Sequence, residues 1–191
     1  MRLYLIRHGE TNSNKDFRFI GNTDDPLSEE GLVQAKETAD SLIGVDIKAV
    51  YSSDLKRAMQ TAEIIAKSHS LEVKAKNSLR EIDFGDWELL TYDDIDVLYH
   101  DIFKRWLADP VNTQIPGGES WKQFRGRILF AVKEIVDQEK DGNVIVVLHG
   151  GPIKLLVSYL NGDDPMFFKS FWPAPGSVNI VEIPRLAADK L

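Results

Sequence analysis

The chain has 191 residues, 43% hydrophobic and 28% charged, a balance that suits one soluble globular domain and not a disordered or collagen-like chain. Lys and Arg number 23 against 30 Asp and Glu, a formal charge of -7, so the whole molecule repels polyanions and nucleic acid is not expected as a partner. With no cysteine there is no disulfide framework, no thiolate metal site and no cysteine nucleophile. In chain order, Leu3 to Ile6 reads as a buried strand. It is too short for a signal peptide or a membrane span before Arg7 and His8, and a cytoplasmic location with no membrane partner is the default expectation. A polar stretch rich in Asn, Gly, Asp and Pro runs on through Pro26 and reads as a long functional loop. Ser28 is suited to cap a helix with Leu32, Ala35, Ala39 and Leu42 at helical spacing, ended by Gly44. Ala49-Val50-Tyr51 starts a second strand. The helix after Ser52-Ser53-Asp54 carries Ala58, Ala62, Ile65 and Ala66 on one face.

A strand near Val73, an irregular loop through Trp87 and a helix capped by Thr91, with Asp94 three residues on, fill the middle of the chain. The turn Pro116-Gly117-Gly118 opens a helix with Phe124, Ile128, Ala131, Val132 and Ile135 on one face, closed by Gly142. Val144 to Leu148 is a valine-rich run of the kind covered on both faces of a sheet. Pro152 suits the first turn of another helix, and Ser177 to Ile183 reads as a last strand. The alternation predicts one α/β domain over residues 1–191, a three-layer α/β/α sandwich with a mainly parallel sheet and its site beyond the carboxyl ends of the strands. His8 and His149 each follow such an end.

Arg7-His8-Gly9-Glu10-Thr11, with Asn14 beyond it, resembles the Arg-His-Gly-Glu-Thr/Ser-x-x-Asn signature of the histidine phosphatase, or phosphoglycerate-mutase-like, superfamily. Three further segments are similar to that family and stand in its order. They are Tyr51 to Ala58 with Thr61-Ala62, Leu79-Arg80-Glu81 with Gly85-Asp86-Trp87-Glu88, and His149-Gly150-Gly151. The resemblance implies a phosphoglycerate mutase-like fold and a metal-independent, cofactor-free phosphatase acting on a small phosphate monoester through a phosphohistidine. It makes His8 the nucleophile, Arg7, Arg57 and His149 phosphate ligands, and Glu81 the acid. Asn14, Gly9, Thr11, Gly21 and Gly150 complete the expected substrate-binding set.

The chemistry wants these residue types. Phosphoryl transfer spreads charge over three equatorial oxygens, and guanidinium groups can meet two of them in parallel. His8 must be neutral to attack, and the Gly9 N–H is a candidate to fix its other ring nitrogen or the phosphate. The pKa of Glu81 is left open, since burial raises it and the arginines lower it; pairing with Arg80 is its alternative role. Leu89 stands where family members often carry Gly. His69 and His100 read as surface residues, and the Trp and Phe residues of 167–172 as core.

Pro116-Gly117-Gly118-Glu119-Ser120 looks more like the phosphatase branch, including α-ribazole-5′-phosphate phosphatases of cobalamin synthesis. Alternatives are a phosphoglycerate mutase, a fructose-bisphosphatase-like enzyme, and a silent binding protein that keeps the fold without turnover. A homodimer is one option for the assembly. From Asp83 to Asp101 the chain has seven acidic residues and no Lys or Arg. Beside Glu81 that segment would repel a second anionic group, favouring a bulky, otherwise uncharged monophosphate, with Trp87, Tyr92, Tyr99 and Trp106 as candidate walls.

Overall fold

The structure, a computed structural model, describes residues 1–161 and 171–183. Its elements are β1 (Arg2–Arg7), α1 (Asn12–Lys15), α2 (Glu29–Ser41), β2 (Ile47–Ser52), α3 (Lys56–Ser68), β3 (Val73–Ala75), α4 (Tyr92–Ala108), α5 (Trp121–Glu139), β4 (Asn143–Leu148), α6 (Gly150–Asn161) and β5 (Val178–Glu182). Single 3-10 turns lie at Asn77–Leu79 and Gly85–Trp87. The sheet is ordered β3-β2-β4-β1-β5, with every neighbour parallel except β5, which runs antiparallel to β1.

The valine-rich run of β4 sits at the centre of the sheet, and its side chains divide between two layers. Val144, Val146 and Leu148 join Leu3 and Leu5 against Phe124, Ile128, Val132 and Ile135 of α5 and Ile153 and Leu156 of α6. Ile145 and Val147 join Tyr4, Ile6 and Val50 against Ala39 of α2 and Ala58, Ala62 and Ile65 of α3. Each fully buried aliphatic side chain contributes about 1.5–3 kcal/mol, so the period-two alternation of β1 and β4 fixes the three-layer sandwich and leaves register little freedom. A third cluster stands away from the sheet: Trp87, Ile95, Phe103 and Ile115 are buried together, with Phe19, Phe84, Tyr99 and Trp106 packed on them.

Several sequence expectations need correction. Leu32 is 44% exposed and is not a core position of α2, whereas Ala35, Ala39 and Leu42 are buried. Lys140, at φ 57, and not Gly142, takes the left-handed position that closes α5. The loop after β1 contains a one-turn helix, α1, whose cap Thr11 and third residue Asn14 bond each other's backbone N–H groups. Leu89, at φ 64, occupies a conformation that glycine takes without strain, so the loop keeps the backbone shape a glycine would suit and the leucine bears its cost.

Candidate active site

β1 and β4 run parallel with Arg7 opposite Leu148, so the residues that follow them, His8 and His149, come out side by side. Their rings lie 5.1 Å apart, tilted by 60°. The His8 N–H donates to Leu148 O at 3.0 Å, tying the two strand ends together. His8 is buried, so its place is the protein interior and not an exposed loop. The Nδ1 of His8 lies 2.7 Å from the carbonyl oxygen of Gly9, which can only accept; the neutral ring therefore carries its proton on Nδ1 and its lone pair on Nε2. This corrects the expected role of Gly9, whose own N–H donates to Thr61 Oγ1 at 3.1 Å. Gly9 also passes against the backbone of Gly31, where a β-carbon would collide with the Gly31 carbonyl. Burial first, then the charges of Arg57 and Arg7, push the His8 pKa well below its ordinary value.

Arg57, in the first turn of α3, is almost fully buried. Its Nε donates to His149 Nδ1 at 3.2 Å, Nη1 to Thr23 O at 2.7 Å and Nη2 to Gly21 O at 2.8 Å. Burial lowers its pKa to about 10, which leaves it charged near neutrality. Because Nδ1 of His149 accepts from Arg57, the neutral His149 ring holds its proton on Nε2, and burial lowers its pKa strongly as well. That Nε2 and Arg7 Nε are buried without a hydrogen-bond partner. An unpaired buried donor costs about 1–3 kcal/mol, which an anionic oxygen placed between them would recover. Arg7 Nη1 donates to Pro173 O at 2.7 Å and its guanidinium lies 5.4 Å from the Trp172 ring centre.

Glu81 reaches the same place from a loop. Its carboxylate accepts from the N–H of Gly151 at 2.9 Å, in the first turn of α6, and from the N–H of Ile82 at 2.8 Å. A β-carbon at Gly151 would strike Glu81 Oε1, so glycine is what permits the approach. Burial raises the Glu81 pKa; the two amide bonds, then Arg57 and Arg7, oppose it, and burial prevails. Arg80 does not pair with Glu81 but forms a two-pronged bond to Asp54 at 2.6 and 2.7 Å.

Arg7, His8, Asn14, Arg57, Glu81 and Gly150 line one cleft of about 610 Å³. Asn14 uses its carbonyl oxygen on Thr11 N–H, which leaves its amide NH2 as the donor toward the cleft. Gly9, Thr11, Gly21 and His149 are not among the lining residues. Thr11 caps α1, and Gly21 holds Arg57 through its carbonyl. Among the described residues, no group of three His, Asp or Glu is arranged to hold a metal ion, and no helix is long and apolar enough to cross a membrane.

A profile of the histidine phosphatase superfamily (branch 1) matches residues 3–187. The chain belongs to this superfamily. It is similar to phosphoserine phosphatase 1 of Hydrogenobacter thermophilus, 32% identical over 96% of this chain and 87% of that one. The adenosylcobalamin/alpha-ribazole phosphatase of Escherichia coli is 33% identical over 85% of this chain and 80% of its own. Among solved structures, Bacillus stearothermophilus YhfR superposes with a TM-score of 0.90 at 33% identity, over 96% of this chain and 91% of that one. The fold is phosphoglycerate mutase-like, and the chain is a superfamily enzyme, a phosphatase or a mutase.

Around the histidine phosphatase constellation, sequence reasoning missed several groups. None of the seven acidic residues between Asp83 and Asp101 lines the cleft. Glu88 binds the N–H groups of Gly21, Asn22, Thr23 and Phe84, Asp83 binds Gly85 N–H, and the Asp94 carboxylate accepts from the N–H of Thr91, the cap of α4. Two unforeseen cations, Arg18 and Lys154, do line it. Lys154 lies four residues after Gly150 on α6, the spacing that sets two residues on one helical face, and that was the available signal. It is buried, 5.0 Å from the Trp172 ring centre, and burial lowers its pKa to about 8. Trp172 is 56% exposed and lines the cleft, against the expectation of a core residue; Phe167 and Phe168 lie outside the described residues. Trp87 and Tyr99 pack in the third cluster and Tyr92 is exposed, so of the proposed aromatic walls Trp106 alone faces the cleft, joined by Phe17, Phe19 and Phe84.

Proposed function

We propose that this chain hydrolyses a small-molecule phosphate monoester through a phosphohistidine at His8, as one domain, without a metal or cofactor. The observation that carries the reading is the fixed tautomer of His8: a buried neutral ring with Nδ1–H on Gly9 O and a free lone pair on Nε2, among Arg7, Arg57 and His149. In the first step Nε2 attacks phosphorus, the P–O ester bond breaks, and the departing alkoxide takes the proton of Glu81. The imidazolium formed keeps its Nδ1–H on Gly9 O, while Arg7, Arg57 and the His149 Nε2–H meet the equatorial oxygens. In the second step the Glu81 carboxylate takes a proton from water as its oxygen attacks phosphorus and the N–P bond breaks, releasing inorganic phosphate. The raised pKa of Glu81 supports an acid form that persists above the range of an exposed carboxyl.

For the substrate, the aromatic side chains around a cleft of about 610 Å³ favour a bulky, partly apolar leaving group, and α-ribazole-5′-phosphate is the first candidate. Acidic repulsion does not select the substrate, because none of the seven carboxylates lines the cleft. Lys154 and Arg18 favour a second reading, a carboxylate-bearing monoester such as phosphoserine. A panel of monoesters assayed in chelator, with phosphate release measured beside isomerisation of 3-phosphoglycerate, tests both. The proposal expects phosphate release undiminished by chelator and highest kcat/KM for α-ribazole-5′-phosphate. Isomerisation outrunning release would make the enzyme a mutase, and preference for phosphoserine would select the second reading.

A further inference from the structure

Glu81 stands on neither a strand nor a long helix; it follows the single turn Asn77–Leu79, and nothing in that turn dictates where its carboxyl points. One side chain of α5 closes on the backbone that carries it. Arg127 Nη1 donates to the carbonyl oxygens of Ser78 at 3.2 Å and Arg80 at 2.7 Å, and Nη2 donates to the carbonyl oxygen of Glu81 itself at 2.6 Å. The opposite edge of the guanidinium is held by Glu119, with Nε to Oε1 and Nη2 to Oε2 both at 2.8 Å. Glu119 is bound to the far side of the same loop, where its N–H donates to Asp83 O at 3.0 Å and Oε2 accepts from Asp83 N–H at 3.4 Å. The loop around Glu81 is thus gripped on both flanks by one ion pair, 46 residues away in sequence at its Glu81 bond.

We infer that Arg127, oriented by Glu119, is a positioning residue for Glu81, holding the 78–81 backbone so that the carboxyl meets the leaving oxygen. The inference rests on the reading of Glu81 as the proton donor. Arg127 is not a lining residue of the cleft; its charge also bears on His149, and Arg127→Lys keeps that charge while removing the grip on the loop. Only a planar fork satisfies three carbonyls and a carboxylate together; a lysine keeps the charge opposite Glu119 but loses the carbonyl set. Displacing a catalytic group by about 1 Å costs on the order of 100-fold in rate, so a loosened loop should be visible in kinetics before it is visible in folding.

The test compares kcat/KM for an alkyl phosphate, whose alkoxide needs a proton to leave, with that for p-nitrophenyl phosphate, whose phenolate leaves unaided. Wild type, Arg127→Met, Arg127→Lys and Glu81→Gln are measured together. Arg127→Met and Arg127→Lys should lower the alkyl ester value by roughly 10- to 100-fold and the aryl value by less than about 3-fold. Combining either with Glu81→Gln should add little, because both act on one proton transfer. Should Arg127→Met fail to fold, Arg127→Lys, which keeps the ion pair, carries the comparison. Equal losses on both esters would make Arg127 a purely structural residue and overturn the inference. If Glu81→Gln shows the leaving-group dependence and the Arg127 variants do not, the positioning role alone fails. If Glu81→Gln does not show it, the assignment of the acid fails with it.

Discussion

The floor of the site, formed by the cleft-lining Arg7 and His8 with the His149 ring beside them, hangs directly on β1 and β4, whose Leu3, Leu5, Ile6 and Val144 to Leu148 are completely buried. The roof, from Glu81 to Leu90, seats Trp87 in the separate third cluster and is tied to distant segments by polar bonds: Glu88 to Gly21, Asn22 and Thr23, and Arg127 to the carbonyls of 78, 80 and 81. The core beneath the floor keeps water away from it, which is why both histidines are driven neutral despite lying where a substrate must reach. The ties of the roof to the site are hydrogen bonds to charged groups, about 1.5–3 kcal/mol each, and can be loosened one bond at a time. Floor changes should therefore remove chemistry without unfolding the protein, and roof changes should reshape proton transfer and affinity.

The largest effect is expected at the floor. His8→Ala should lower turnover by roughly 10,000-fold or more while leaving the melting temperature unchanged or slightly higher, since it removes a desolvated ring held beside two guanidinium groups. Activity assays with thermal melts on the same preparation check it; a variant that unfolds would show that the floor is structural first.

Next comes Glu81, the proposed acid of the roof. Glu81→Gln should lower kcat/KM for an alkyl ester by about 100- to 10,000-fold. The raised pKa of Glu81 places its acid form below that pKa and its loss above it, so the wild-type alkyl ester profile should fall as pH rises through a value higher than that of an exposed Glu. The depressed pKa of His8 keeps the ring neutral, and nucleophilic, well below pH 6.5. In the Gln variant the high-pH fall should vanish; its persistence would assign that limb to another group.

A smaller change is expected where the roof meets the floor. Glu88→Gln weakens the carboxylate that collects the N–H groups of residues 21–23, whose carbonyls at Gly21 and Thr23 hold Arg57. Stability should fall by about 1–3 kcal/mol and kcat/KM by roughly 10-fold, equally for alkyl and aryl esters, because the proposed mechanism has Arg57 bind the phosphate of either. A leaving-group dependence here would erase the distinction from Glu81. The smallest effect belongs to Leu89, at φ 64 and 42% exposed: Leu89→Gly should relieve about 0.5–1 kcal/mol of backbone strain, seen as a rise of a degree or more in melting temperature with activity unchanged.

The same contrast explains what was legible beforehand. An apolar run followed at once by Arg-His-Gly, and a valine run followed by His-Gly-Gly, announce strand ends, so the floor and the parallel sheet could be read from residue order. The antiparallel β5 follows a segment with no helical pattern and was not foreseen as a change of direction. Gly9 was assigned through its N–H when its carbonyl acts, because sequence does not tell which face of a peptide a ring will meet. Roof residues could be named from resemblance but not placed, since the partners of Glu88 and Arg127 lie 65–67 and 46–49 residues away. The acidic run differs for a related reason: summed as charge it looks like a field over the site, yet the carboxylates of Asp83, Glu88 and Asp94 each accept from a backbone N–H within four residues. Trp172, whose ring contacts both Arg7 and Lys154, comes from a segment whose apolar richness suggests core.

The proposed mechanism requires that His8 Nε2 become covalently phosphorylated. Rapid acid-free quench of the enzyme with a radiolabelled monoester, followed by tests of label stability and peptide mapping, measures it directly. The account predicts label that is acid-labile and base-stable, confined to the peptide containing His8, formed within the first turnover and absent from His8→Ala. Product release in the first turnover with no labelled enzyme, or label on any other residue, would contradict it.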